Sequence, residues 1–265
     1  MSDDVPILDL RARAYFHDIP ALPYAPLAAA WAEEGKECED LTEGRRDKWA
    51  LMAMRGPNLV ALGLPVEIDR THVAELEAHA AIDFDFTQTF IVDPRAALAD
   101  LRASRYEVSV LLRIEEPADR RICFNELACT LLGIDRHAPL SALWLEGPRL
   151  AVGRRDLSEQ LALQDTRDGN APLPPTSLMF ATNLIEQEGR VHGGTRGLDF
   201  FGHAELVVDT ARPEDAARLL YNVGSDIVAG AVYAPGHTLS SGPLRARVEA
   251  TGEPLALRLV SVPST

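Results

Sequence analysis

Residues 193–205 read Gly193-Gly194-Thr195-Arg196-Gly197-Leu198-Asp199-Phe200-Phe201-Gly202-His203-Ala204-Glu205. Four glycines in so short a span call for positive φ or close backbone approach, and argue against a helix or an ordinary strand. A loop of this kind can cradle an anion with its backbone N–H groups, to which Thr195 would add a hydroxyl and Arg196 a guanidinium. It can also be a tight, structurally required connection that packs Leu198, Phe200 and Phe201 into the core.

The histidines extend this region. His192, His203 and His237 all lie in the second half of the chain. A strand from His203 to Val208 would place His203, Glu205 and Val207 on one face and Ala204, Leu206 and Val208 on the other. A His-x-Glu pair on one strand face suits a metal or an acid–base pair. No H-E-x-x-H motif or second cluster of ligand spacing joins it, and polar residues on a half-buried strand give the same pattern. The sequence therefore names no metal and no cofactor. Its candidate ligand or partner surface is His192, Thr195, Arg196, His203, Glu205 and His237.

Other chemistry is poorly represented. There is no G-x-S-x-G elbow, and Ser240-Ser241-Gly242 reads as a turn. The carboxylate pairs Glu115/Glu116 and Asp83/Asp85 read as solvated surface. Cys38, Cys123 and Cys129 have neither disulfide nor zinc spacing, and the last two fall in an apolar helical segment. Free thiols predict a reducing, cytoplasmic compartment.

The elements that must position these residues follow from periodicity. Residues 1–26, punctuated by Pro6, Pro20, Pro23 and Pro26, read as an irregular lead-in. Helices are predicted over 27–34, from Asp69 or Thr71 to Ala80, from Pro94 to Ala103, over 122–132, over 156–163, and from Pro213 to Val228. Strands are predicted over 59–64, 86–92, 106–114, 140–145, 177–184, 203–208, 244–250 and 255–262, the last two as a hairpin. Residues 35–48 read as loop, and 165–175 as an exposed turn-rich boundary. Interleaved helices and strands ending in strands predict an α+β protein: two packed α+β halves, 1–165 and 176–265, or one domain, with mixed or antiparallel sheets and helices on one face. No G-x-G-x-x-G or P-loop is present.

The formal net charge of −14 over 265 residues argues against non-specific binding to nucleic acid or anionic lipid. It suits a basic protein partner, or simply solubility. There is no apolar run long enough to span a membrane, and the acidic start lacks the pattern of a secretory leader.

Two motifs carry a family resemblance. Thr195-Arg196-Gly197-Leu198-Asp199-Phe200-Phe201-Gly202-His203-Ala204-Glu205-Leu206 resembles the Thr-x-Gly signature of a bacterial family catalogued as domain of unknown function 4261, and Gly236-His237-Thr238-Leu239 is similar to that family's turn. The resemblance is clearest over 176–250 and departs at His237 and Val207, where acidic residues are common. It implies fold and site location and supplies no reaction. The expectation is a non-enzymatic binding or interaction protein, in a defence, immunity or secretion-associated setting. The alternative is a hydrolase or metal-dependent enzyme with its site around Gly193–Glu205.

Overall fold

Alternation of side chains between two sheet faces organises the strands of this chain. The computed structural model describes residues 7–22, 24–33, 35–40, 49–55, 58–79, 94–115, 120–156, 179–210, 212–241, 244–251 and 256–262. The expected strand over 86–92, most of the expected helix over 156–163, the boundary over 165–175 and the Asp83/Asp85 pair lie outside these residues. The protein is α+β, with helices and two mostly antiparallel sheets. It divides into two compact units, the first comprising 1–77, 96–146 and 151–174, the second 78–95, 147–150 and 175–265.

In the first unit the strands are β1 (Ile7–Phe16), β2 (Glu37–Asp40), β3 (Trp49–Arg55), β4 (Asn58–Gly63), β5 (Val66–Glu67), β6 (Tyr106–Glu115), β7 (Ala142–Leu145) and β8 (Leu150–Gly153). They form one sheet in the order β2-β3-β4-β6-β1-β7-β8, with β5 also paired to β6. The helices are α1 (Tyr24–Glu33), α2 (Arg70–His79), α3 (Pro94–Ala103) and α4 (Arg120–His137). Asp69 starts α2 as expected of a cap, its Oδ1 accepting the Thr71 N–H at 2.9 Å.

The largest correction concerns β1. The prolines that count against a long helix in residues 1–26 lie outside its ten residues, Pro26 falling in the first turn of α1, and β1 runs through the interior of the sheet between β6 and β7. Leu10, Ala12, Ala14 and Phe16 are buried, and they alternate with Asp9, Arg11, Arg13 and Tyr15. Residues 37–40, read as loop, form the edge strand β2, and β3 and β8 were not foreseen.

The second unit contains β9 (Ala181–Gln187), β10 (Arg190–Arg196), β11 (Glu205–Thr210), α5 (Pro213–Val228), β12 (Thr238–Ser241), β13 (Leu244–Ala250) and β14 (Ala256–Val262). The sheet order is β12-β13-β14-β11-β10-β9. All its register pairings are antiparallel except β11 with β14, which is parallel. Residues 193–196 belong to β10, so the first four residues of the glycine-rich segment, with two of its glycines, are strand after all. Ser240 and Ser241, read as a turn, lie in β12.

Helix α5 begins with Pro213 and two acidic residues, both suited to a first turn. It packs against β9, β10, β11 and β12 through Ala216, Ala217, Leu219, Leu220, Val223 and Ile227. Two glycines permit that contact. A Cβ on Gly193 would stand 2.6 Å from Leu184 Cδ2 and 2.9 Å from Leu220 Cδ1. A Cβ on Gly224 would stand 2.5 Å from Cζ of the buried Phe180 ring.

Gly224→Ala therefore sets two effects against each other. Helix propensity favours alanine by about 1 kcal/mol, whereas overpacking against a stiff aromatic ring costs about 1–3 kcal/mol. The expected result is a net loss of stability, read as a lower midpoint in urea at unchanged slope; a gain would show that Phe180 moves aside freely.

Candidate functional site

The site is built where two strands part. β10 pairs with β9 along all seven of its residues, but with β11 only from Val191–Thr210 to Gly194–Val207. At Thr195 the strand keeps one neighbour and loses the other. The buried Thr195 hydroxyl fills the gap, accepting the Leu206 N–H at 2.8 Å and donating to Glu205 Oε2 at 2.6 Å.

Glu205 closes the fork. Its Oε1 accepts the N–H groups of Gly197 at 2.7 Å, Leu198 at 2.9 Å and Asp199 at 3.3 Å. Consecutive amides converging on one oxygen form an anion-binding nest. The anion held here is the chain's own carboxylate. Burial pushes the Glu205 carboxyl above the usual carboxylate range, against the donors from Thr195, Gly197 and Asp199, which favour the charged form.

The loop between the strands is equally determined. Gly197 has φ +104°, and a Cβ there would meet the Met179 carbonyl oxygen at 3.0 Å, so only glycine fits. Leu198 is fully buried, while Phe200 and Phe201 are half-buried and stack edge to face at 5.0 Å. Residues 199–201 form a 3-10 turn that Gly202 ends in the left-handed conformation, its N–H donating to the Asp199 carbonyl.

The strand β11 begins at Glu205, so the expected alternation does not extend to His203, and the His-x-Glu pair is divided between two environments. His203 Nδ1 lies 2.9 Å from the Ala204 carbonyl, and Nε2 lies 3.3 Å from the Tyr233 N–H. A carbonyl can only accept and an amide N–H can only donate, so these bonds require the neutral Nδ1–H tautomer. His237 Nδ1 accepts the Ala234 N–H at 3.3 Å. These two histidines thus hold successive residues of the segment that follows α5. His192 is exposed, with Nδ1 3.9 Å from Asp209 Oδ2 across the β10–β11 ladder, and Arg190 donates to Asp209 Oδ1 at 2.8 Å. Arg196 ends β10, half-buried. The six candidates form no single constellation of direct contacts: Thr195 and Glu205 are bonded, His203 and His237 share a backbone segment, and His192 pairs with Asp209. Among the described residues, no group of three His, Cys, Asp or Glu side chains is arranged to hold a metal ion. Cys123 is buried in α4, and Cys38 is half-buried in β2.

The sequence reading missed a second polar cluster, in the first unit. Arg13 donates to Glu107 Oε1 at 3.0 Å and to Glu146 Oε1 at 3.2 Å. Tyr15 lies directly opposite Glu107 in the β1–β6 register. Tyr15 Oη and Glu107 Oε2 are both buried without a hydrogen-bond partner among the described residues. Burial, and then the Glu107 charge, push the Tyr15 phenol well above its usual range. The signal was the strict alternation of Leu10, Ala12 and Ala14 with Arg11, Arg13 and Tyr15, hidden by reading residues 1–26 as irregular.

No family model matches the chain, and neither does any curated protein or solved structure. The likeness to the family of domain 4261 rests on the quoted residues alone.

Three outcomes follow. Glu205→Ala strands the loop amides and the Thr195 hydroxyl, and should cost about 2–4 kcal/mol in chemical denaturation; Glu205→Gln, which keeps an acceptor, should cost less. Because the folded Glu205 value is raised, the native state holds the proton more tightly than the unfolded chain. Glu205's contribution is therefore full below the ordinary carboxylate range and is lost as pH rises through the folded value. The stability of the wild type minus that of Glu205→Gln should fall across that window and level off above it, a slope that denaturation at a series of pH values checks. Tyr15→Phe removes an unpartnered buried hydroxyl, so it should be neutral or stabilising by up to about 1 kcal/mol in thermal melts.

Proposed function

We propose that this chain is a non-enzymatic binding protein whose partner is another protein. One observation carries the reading. The polar groups of the glycine-rich segment that have the right chemistry for catalysis are engaged in holding the chain's own backbone. Glu205 accepts from Thr195 and three amides, Thr195 both donates and accepts, and both ring nitrogens of His203 bond to main chain. A general base or metal ligand must give up such bonds to act, whereas a scaffold displaying a shaped loop needs them intact. The half-buried Phe200–Phe201 pair on that loop is the kind of rigid aromatic feature that interfaces use.

The formal charge of −14 adds that a basic partner would be drawn to the chain as a whole, as in an immunity or defence setting. The hydrolase alternative places its site on the same segment.

Two measurements made together decide between them. Purified protein is assayed for turnover on a panel of p-nitrophenyl esters and phosphates, with and without divalent metals. It is also used as bait for affinity capture from its native lysate. The expected result is turnover no higher than that of a Thr195→Val control, with a stoichiometric protein partner captured. Turnover that Thr195→Val abolishes, with nothing captured, overturns the reading.

A further inference from the structure

The sheet of the second unit has two unlike faces. The face toward α5 carries Leu184, Val191, Leu206, Val208, Val248 and Leu259, all buried. The register places five arginines on the opposite face: Arg190 and Arg196 on β10, Arg258 on β14, and Arg245 and Arg247 on β13. Four of them are exposed and Arg196 is half-buried. Val207 and Val260, both half-exposed, lie among them, and Ile185 on β9 is 54% exposed.

The acids on this face do not balance the arginines. Asp209 is bonded to Arg190 at 2.8 Å, and Glu249 to Arg247 at 2.6 Å. Glu205, the third by register, has its carboxylate committed to the loop amides. Arg245 and Arg258 have no ion-pair partner among the described residues. Arg258 sits opposite Glu249, whose carboxylate is already taken by Arg247. Among the described residues this face sets five arginines against three acids, a local inversion of sign in a chain with 40 acidic and 26 basic side chains.

From this we infer that the open face of the second sheet is a docking surface for an acidic segment of a protein partner. Charge complementarity selects the occupant. Within a Debye length of about 8–10 Å the local arginines outweigh the distant acids, and a strand spacing of about 4.8 Å brings each strand of the run β13, β14, β11 and β10 within that reach of its first and second neighbours. Arginine in particular binds carboxylates bidentately, and Val207 and Val260 supply the apolar centre that such an interface needs. A single-stranded nucleic acid is disfavoured, because sheet-face readers of that kind stack bases on aromatic rings, and the face carries Val207, Val260, Ile185 and Gly194 in their place. The inference rests on the binding-protein reading and specifies one of its surfaces.

The test uses the full chain and a fluorescein-labelled oligoglutamate peptide, read by fluorescence anisotropy at low and physiological salt. Reversal of both arginines without acidic partners, Arg245→Glu with Arg258→Glu, should weaken binding about tenfold, two exposed charge contacts being worth roughly 0.5–1 kcal/mol each. Arg136→Glu with Arg218→Glu changes the net charge equally at exposed helical positions and should bind as the wild type does. Arg245→Gln with Arg258→Gln, a milder pair, should fall between and covers the case of a misfolded reversal variant.

Equal binding by wild type and both face variants overturns the inference. So does tighter binding of an oligothymidylate of matched charge, or sedimentation showing that the face variants only abolish self-association. A native partner captured equally well by the wild type and by the face variants removes this surface but leaves the binding reading standing. Turnover without capture removes the reading itself.

Discussion

The second unit depends on a carboxylate placed where two strands separate. β10 and β11 are hydrogen-bonded neighbours up to Gly194 and Val207, and then the chain leaves for an excursion of eight residues before β11 begins. A fork in a sheet exposes unpaired amides, and buried amides without acceptors are costly. Glu205 and Thr195 supply those acceptors from within the fork. The loop's conformation, the position of the Phe200–Phe201 pair and the attachment of His203 to Tyr233 all follow from that closure.

The same interaction explains why residue types that suggest catalysis occur here. A threonine, a glutamate and a run of glycines are what an anion-binding loop requires. They are also what a loop requires when it binds an anion supplied by its own chain. The difference is whether the nest is empty, and in this protein Glu205 fills it.

The two sheets solve one problem differently. In the second unit, apolar residues on one face pack on α5, and the other face presents exposed arginines. In the first, the interior strand β1 buries aliphatic residues on one face and carries Arg13 and Tyr15 on the other, where Glu107 and Glu146 neutralise the guanidinium. A half-buried polar residue on an interior strand is best held by partners, and cross-strand pairing with β6 brings Glu107 within reach of Arg13.

Much of the fold was legible in the sequence, for local reasons. Pro213 followed by acidic residues announces α5, Asp69 announces α2, and the Val/Leu-rich stretch from Tyr106 announces β6, because caps and periodicity are written within a few residues. The positive φ at Gly197 and Gly202 was likewise predictable from glycine in a turn-rich segment. What the tertiary structure alone decided was partnership between distant residues. β1 was invisible because alternating Ala and Arg has little strand propensity of its own and becomes a strand through β6 and β7, both far along the chain. Gly193 reads as a turn residue until Leu220 is seen to need its missing side chain. Six suggestive residues could be named from one segment and a few histidines, but their division among Glu205's amides, the backbone at Tyr233 and Ala234, and Asp209 was set by where each strand ends and by which neighbour stands across from it.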